Sequence, residues 1–185
     1  MGRVATELDE SWAAFITHQQ MFFVATAPLE ADGHVNLSPK GLDSFTILDA
    51  QHVAWLDLAG SGIETVAHLQ QNGRIVIMFC AFEGPHLVVR LYGRGEVIER
   101  SHPDFASLCA RFEHSAGARS VIRVTLDRVA DSCGMGVPRY AFQSQRDELP
   151  TLFASGSPEK LSAFIAKRNG ASIDGLPGLP GLSPS

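Results

Sequence analysis

The chain has 185 residues, 45% hydrophobic and 19% charged, enough apolar material for one compact domain, which excludes wholesale disorder. Lys+Arg number 15 against Asp+Glu 20, a formal net charge of -5, so no global basic field exists to hold a nucleic-acid backbone. No apolar run reaches the roughly 20 residues of a membrane helix, and the opening MGRVATELDESW has no signal-peptide pattern; neither nucleic acid nor membrane is expected as a partner, and the expected location is cytoplasmic.

Leu8, Trp12, Phe15 and Ile16 recur at three- and four-residue intervals opposite Glu7, Glu10 and Gln19, which predicts an amphipathic helix over 7–20. Residues 22–26 and 34–38 are β-prone runs around a turn-rich stretch ending in Asp32-Gly33, the pattern of a hairpin. Strands are expected at 45–48 and 52–58, the second running into Ala59-Gly60-Ser61-Gly62. A two-turn helix over 63–71 follows, stopped by Asn72-Gly73 in the left-handed terminating position. RIVIMFCAF, residues 74–82, is nearly continuous in Ile, Val and Phe and reads as a central strand. Residues 86–99 alternate Leu87, Val89 and Leu91 with Arg90 and other polar positions, which gives another strand.

Ser101 is placed to cap a helix running to about Phe112, and residues 120–129 alternate as a last long strand. After the glycine-punctuated loop DSCGMGVPRY come weaker helical patterns over 147–155 and 158–169, expected to be peripheral. The tail GLPGLPGLSPS repeats Gly-Leu-Pro, a composition that predicts an extended, flexible end. Six or seven strands joined mostly by short turns point to a mainly β chain, an antiparallel barrel with added helices.

Several residues carry possible chemistry. Ser61, Gly62 and Thr65 lie where unpaired amides at a helix start meet hydroxyls, an arrangement that cradles phosphate; Glu64 in the same turn suits an ordinary capped turn instead. Asn36, Ser38 and Lys40 alternate along one strand end, giving one cation and several donors for an anionic ligand, or a solvated lysine beside a turn serine. Arg90, between Val89 and Leu91, must find water, a carboxylate or a ligand phosphate. Cys80, Cys109 and Cys133 are far apart and expected reduced; Cys133 has no base near it in sequence and reads as an inert thiol. The seven histidines show no metal-ligand spacing, so no metal is expected. Trp12 and Trp55 read as core residues, with the covering of a planar ring as the other use of such a side chain.

The ordered set FFVATAPLEADGHVNLSPKG, HVAWLDLAGSGIETVAHLQQNGRIVIMFCAF and VVRLYGRGEVI, within about residues 8–130, resembles the pyridoxamine 5′-phosphate oxidase-related, FMN-binding split-barrel family. The resemblance implies a six-stranded antiparallel split β-barrel over 1–140, a helical extension of the same domain over 141–175, and the tail over 176–185. It implies a homodimer with FMN at the subunit interface, deazaflavin, haem or no cofactor being the alternatives on this fold. Carried over residue by residue, the cofactor-binding positions are Asn36, Ser38, Lys40, Ser61, Gly62 and Thr65, with Arg90 as an addition; no catalytic side chain is assigned. The expected activity is flavin-dependent oxidoreduction of a small molecule by hydride transfer at flavin N5, a non-enzymatic cofactor carrier being the alternative. Val35 and Asn36 precede Ser38 and Lys40 where oxidases of the family have an Arg ahead of the Lys, and the helix start reads Ile63-Glu64-Thr65 rather than a basic pair. FQSQRDELPTLFASG lacks the family's C-terminal Trp and Arg substrate signature, which implies a substrate other than pyridoxamine phosphate.

Overall fold

A computed structural model describes residues 2–179. Asp9 caps the first helix, α1 (Glu10–Thr17), by accepting from the Trp12 amide at 2.8 Å, so the helix begins three residues later than the apolar spacing alone suggests. Strands β2 (Phe22–Thr26) and β3 (Asn36–Lys40) form the expected hairpin, shifted so that the second strand starts at Asn36 rather than His34. His34 is instead held outside the ladder, its amide donating to Asp174 at 2.8 Å. β4 (Phe45–Ile47), β5 (His52–Leu58), α2 (Glu64–Asn72), β6 (Arg74–Cys80) and β7 (Val88–Glu99) follow in the expected order. Gly73 ends α2 at φ 69°, a conformation that costs glycine nothing. The short helix α3 (Phe105–Cys109) starts after Asp104 without a side-chain cap, so Ser101 does not cap it; residues 101–104 form turns that precede it. The long strand β8 (Ala118–Ser132), then α4 (Glu148–Ala154) and α5 (Pro158–Arg168), complete the chain, and a two-residue strand at the start, β1 (Val4–Ala5), adds to β8.

The main path of the sheet is β3-β2-β6-β7-β8-β5-β4, seven strands where the family resemblance implied six, and every pairing is antiparallel. β3 and β4 are the two ends of that path, yet only residues 41–44 join them, so the sheet must curl until its edges nearly meet. The edges do not pair, and the result is a split barrel. Its interior is aromatic: Phe22, Phe45 and Phe79 lie 5.0–5.6 Å apart ring to ring, with Trp55 6.2 Å from Phe22. Both Trp12 and Trp55 are core residues. On the other side of the sheet, Leu108 and Phe112 cover Ala54, Leu56 and Ile98 in a second cluster.

The C-terminal helices are not all peripheral. Leu161 and Ile165 of α5 and Leu179 beyond it belong to the main apolar cluster, together with Ile63 and Val66. The described part of the Gly-Leu-Pro tail is also docked, since the Gly178 amide bonds Gly170 and the Leu179 amide bonds Asn169. A leucine that can reach a preformed apolar surface offsets the entropy that composition alone leaves unopposed. The remainder of that repeat lies outside the described residues.

Candidate functional site

Strand alternation puts Asn36, Ser38 and Lys40 on one face of β3, opposite the buried Thr26, Val24 and Phe22 of β2, while Leu37 between them is exposed. The row is a connected network. The Asn36 side-chain amide donates to Thr65 at 2.9 Å and to Thr26 at 3.3 Å, and its oxygen accepts from the Ser38 hydroxyl at 3.1 Å. Both amide hydrogens of Asn36 are thereby engaged, and its function in this structure is to order its neighbours. Thr26 in turn contacts Nδ1 of His68 at 3.0 Å, a fully buried ring whose Nε2 has no partner among the described residues. Burial is the main influence on this imidazole and holds its pKa below the usual value, against the pull of Asp174 and Glu64.

At the other end of the row, Lys40 Nζ lies 3.8 Å from Asp57, so an edge strand of the barrel is tied across the split to β5. Asp57 is almost wholly buried and receives Arg119 in a fork at 2.7 and 3.2 Å and the Ser120 hydroxyl at 3.0 Å. Burial pushes the Asp57 carboxyl up, but Arg119, then Lys40 and the hydrogen bonds, outweigh it and hold the group below the usual carboxylate range. Arg119 also donates to the Gly62 carbonyl at 2.7 Å, and Asn169 donates to the Gly60 carbonyl at 2.9 Å. With both carbonyls drawn inward, the planar peptides turn the Ser61 and Ile63 N–H groups the opposite way. Those two amides meet no acceptor among the described residues, as is usual beside a helix start.

Glu64 limits what this loop can hold. A first side-chain carbon at Gly62 would stand 2.7 Å from Glu64 Oε2, so the carboxylate lies against the glycine, and Glu64 Oε1 accepts from the Ile173 amide at 3.3 Å. Hydroxyls of Ser38, Ser61 and Thr65 suit a polyhydroxyl chain, and Lys40 adds one cation already shared with Asp57. A dianionic phosphate does not fit against Glu64.

Arg90 stands apart from this row. Val89 and Leu91 point into the barrel core, so Arg90 lies on the outer face of β7, donating to the Ser132 hydroxyl at 3.0 Å. Phe23, Met78 and Tyr92 are half-buried on the same face, and within one chain Arg90 does not join Asn36, Ser38 and Lys40. Beside Lys40 there is a cavity of about 810 Å³, lined by Leu42, Phe82, Tyr140, Phe142 and Gln145 among others. Among the described residues no group of three or more His, Cys, Asp or Glu could hold a metal ion.

Sequence reasoning missed Asp57, Arg119, His68 and Asn169. Asp57 had a signal, since an acid between Leu56 and Leu58 in an apolar strand demands a buried partner. Asn169 and Arg119 had none, because their partners are 109 and 57 residues away.

The profile of the family described as pyridoxamine 5′-phosphate oxidase matches residues 8–133. A protein of Aspergillus flavus, described as pyridoxamine 5′-phosphate oxidase family protein ustO, is 35% identical over 189 residues, covering 93% of this chain and 76% of that protein. The fold is shared with HupZ of group A Streptococcus, at TM-score 0.51 and 21% identity over 66% of this chain and 91% of that one. It is shared also with a Lactobacillus delbrueckii protein described as a putative pyridoxamine 5′-phosphate oxidase, at TM-score 0.52 and 19% identity over 68% and 94% of the two chains. Asn169 and Ile173, which hold the Gly60–Gly62 loop and Glu64, lie beyond the residues that the profile matches, but the segment from residue 8 to residue 133 suffices to show that this chain belongs to the pyridoxamine 5′-phosphate oxidase family.

Proposed function

We propose that this protein is a flavin-dependent oxidoreductase that works as a homodimer, with the row of Ser38 and Lys40 and the Ser61, Gly62 and Thr65 loop taking the polar chain of the cofactor. The observation that carries this reading is that Asn36 ties the row to the loop, through Ser38 on one side and Thr65 on the other, while Lys40 at the end of the row also lines the 810 Å³ cavity, which is large enough for a small substrate. When bound, the flavin would supply hydride transfer at N5. The chain itself binds and orients: Asn36 fixes Thr65 and Ser38, Arg119 fixes the loop, and the aromatic side chains of Phe82, Tyr140 and Phe142 give the cavity an apolar side. The dimer is supported by the half-buried outer face of β2, β6 and β7, on which Arg90 would meet the second subunit or its cofactor.

FMN is the form implied by the resemblance, and the test treats it beside riboflavin. The full chain is incubated with each flavin, desalted, sized and scanned, then mixed anaerobically with reduced nicotinamide. An oxidised-flavin spectrum at dimer mass that bleaches on reduction is the expected result. A coloured dimer that reduced nicotinamide does not bleach would favour the carrier reading, and a colourless one would turn attention to deazaflavin and haem.

A further inference from the structure

We infer that Glu64 is a specificity residue which makes the Gly60–Gly62 loop select a hydroxyl-bearing, uncharged end of the ligand and reject a phosphate. This inference rests on the flavin reading for the identity of the ligand, though not for the chemistry of the loop.

Three observations carry it. The Glu64 carboxylate is laid against the open side of Gly62, with Oε2 2.7 Å from where a side chain there would begin. It is held in place, since Oε1 accepts from the Ile173 amide at 3.3 Å and Asn169 binds the Gly60 carbonyl from the same C-terminal segment. The neighbouring cations are already balanced: Lys40 and Arg119 share Asp57, so the three groups carry one net positive charge, and Glu64 cancels it. A phosphate dianion brought to the loop would meet a neutral set with a carboxylate at the front. A ligand hydroxyl would instead donate to Glu64 and accept from Ser61 or its outward amide, a pairing that uses each group as it stands.

The experiment titrates the full chain, wild type and Glu64→Gln, with riboflavin and with FMN by quenching of flavin fluorescence, and in parallel follows thermal unfolding with added inorganic phosphate. Glutamine keeps an oxygen for the Ile173 amide and removes only the charge. The wild type is expected to bind riboflavin at least as tightly as FMN and to show no thermal shift with phosphate; Glu64→Gln should improve FMN relative to riboflavin by about tenfold and respond to phosphate. FMN bound tenfold tighter than riboflavin by the wild type, or an unchanged ratio in Glu64→Gln, would overturn the inference. If neither flavin binds, the flavin reading fails, and the phosphate arm decides this one alone: a response gained only in Glu64→Gln supports it, whereas a response equal in both proteins, or absent from both, overturns it.

Discussion

Arg119 grips the Asp57 carboxylate and the Gly62 carbonyl with one guanidinium, at 2.7 Å to each, so the buried charge of β5 and the shape of the loop before α2 depend on the same side chain. Both partners are nearly inaccessible to water, and an isolated buried charge is far more costly than a missing pair. Arg119→Met or Asp57→Asn alone should therefore destabilise the protein by about 3–5 kcal/mol. The double variant should lose less than the sum of the two. Urea unfolding of the three variants measures this, and additive losses would show that the two groups act independently.

The same pair sets an acid limit. Asp57 has a folded pKa below its unfolded value, so its contribution is complete above the unfolded value of 3.8 and is lost as pH falls through the folded one. Unfolding followed by intrinsic tryptophan fluorescence should show wild-type stability falling below about pH 4, and a flatter acid limb in Asp57→Asn. A limb of equal steepness in both would place the acid sensitivity elsewhere.

His34 and Asp174 form a second titrating pair, exposed at the hairpin tip, with the ring nitrogen 2.6 Å from the carboxylate. The hydrogen bond to Asp174 raises the His34 pKa above 6.5, and the bond to His34 holds Asp174 below 3.8. For His34 the contribution is complete below 6.5 and fades as pH rises through the raised folded value; for Asp174 it is complete above 3.8 and fades as pH falls through the lowered one. Amide exchange of residues 171–179, corrected for intrinsic rates, should be slowest between those limits and speed up on the alkaline side. Asp174→Asn should remove that dependence, and a dependence that persists in the variant would exclude this pair as its source.

The order of strands was legible because β5 and β6 are short apolar runs bounded by glycine, asparagine or aspartate and β2 is one that stops before Pro28, and such signals are local. The strand, loop and helix start that carry Ser61, Gly62 and Thr65 were legible for the same reason. What no local pattern carried was the closure of the site. Glu64 reads as a helix-dipole residue until Ile173, 109 residues later, is seen to hold it, and only the curl of the whole sheet puts Arg90 on its outer face, apart from the Asn36 row within one chain. Leu179 likewise sits in a repeat whose composition predicts flexibility, and only the surface formed by α5 and Ile63 gives it somewhere to go.

Asn36 makes the next prediction. Replacement by Leu leaves the Thr65, Thr26 and Ser38 hydroxyls without their common partner, and Thr26 keeps only Nδ1 of His68. The loss should be about 1–3 kcal/mol, with a matching drop in flavin retention because Ser38 and Thr65 are no longer oriented. Asn36→Asp keeps the acceptor for Ser38 and removes both donors, so retention should fall for that variant too. Unfolding midpoints and bound-flavin ratios read the two effects separately, and full retention in both variants would remove Asn36 from the site.

The connector that closes the barrel makes the last. Leu42 and Asp43 both adopt left-handed backbone, φ 61° and 50°, between Gly41 and Ser44, whose amide bonds the Gly41 carbonyl at 3.3 Å. A left-handed non-glycine residue costs roughly 1–2 kcal/mol, and something must hold the turn. Gln145 does so from 103 residues away: its oxygen accepts from the Leu42 amide at 3.0 Å and its nitrogen donates to the Gln20 carbonyl at 3.0 Å. Gln145→Ala should cost about 1–2 kcal/mol, and Leu42→Gly in that background should recover part of it, since glycine removes the strain but adds roughly 0.5–1 kcal/mol of chain entropy to the unfolded state. Because Lys40 lies two residues before Leu42 and lines the same cavity as Gln145, Gln145→Ala should also weaken flavin retention. Unfolding of the two single variants and the double, with flavin retention measured on each, tests the chain of causes; equal stability of Gln145→Ala and the wild type would show that the turn holds without its clamp.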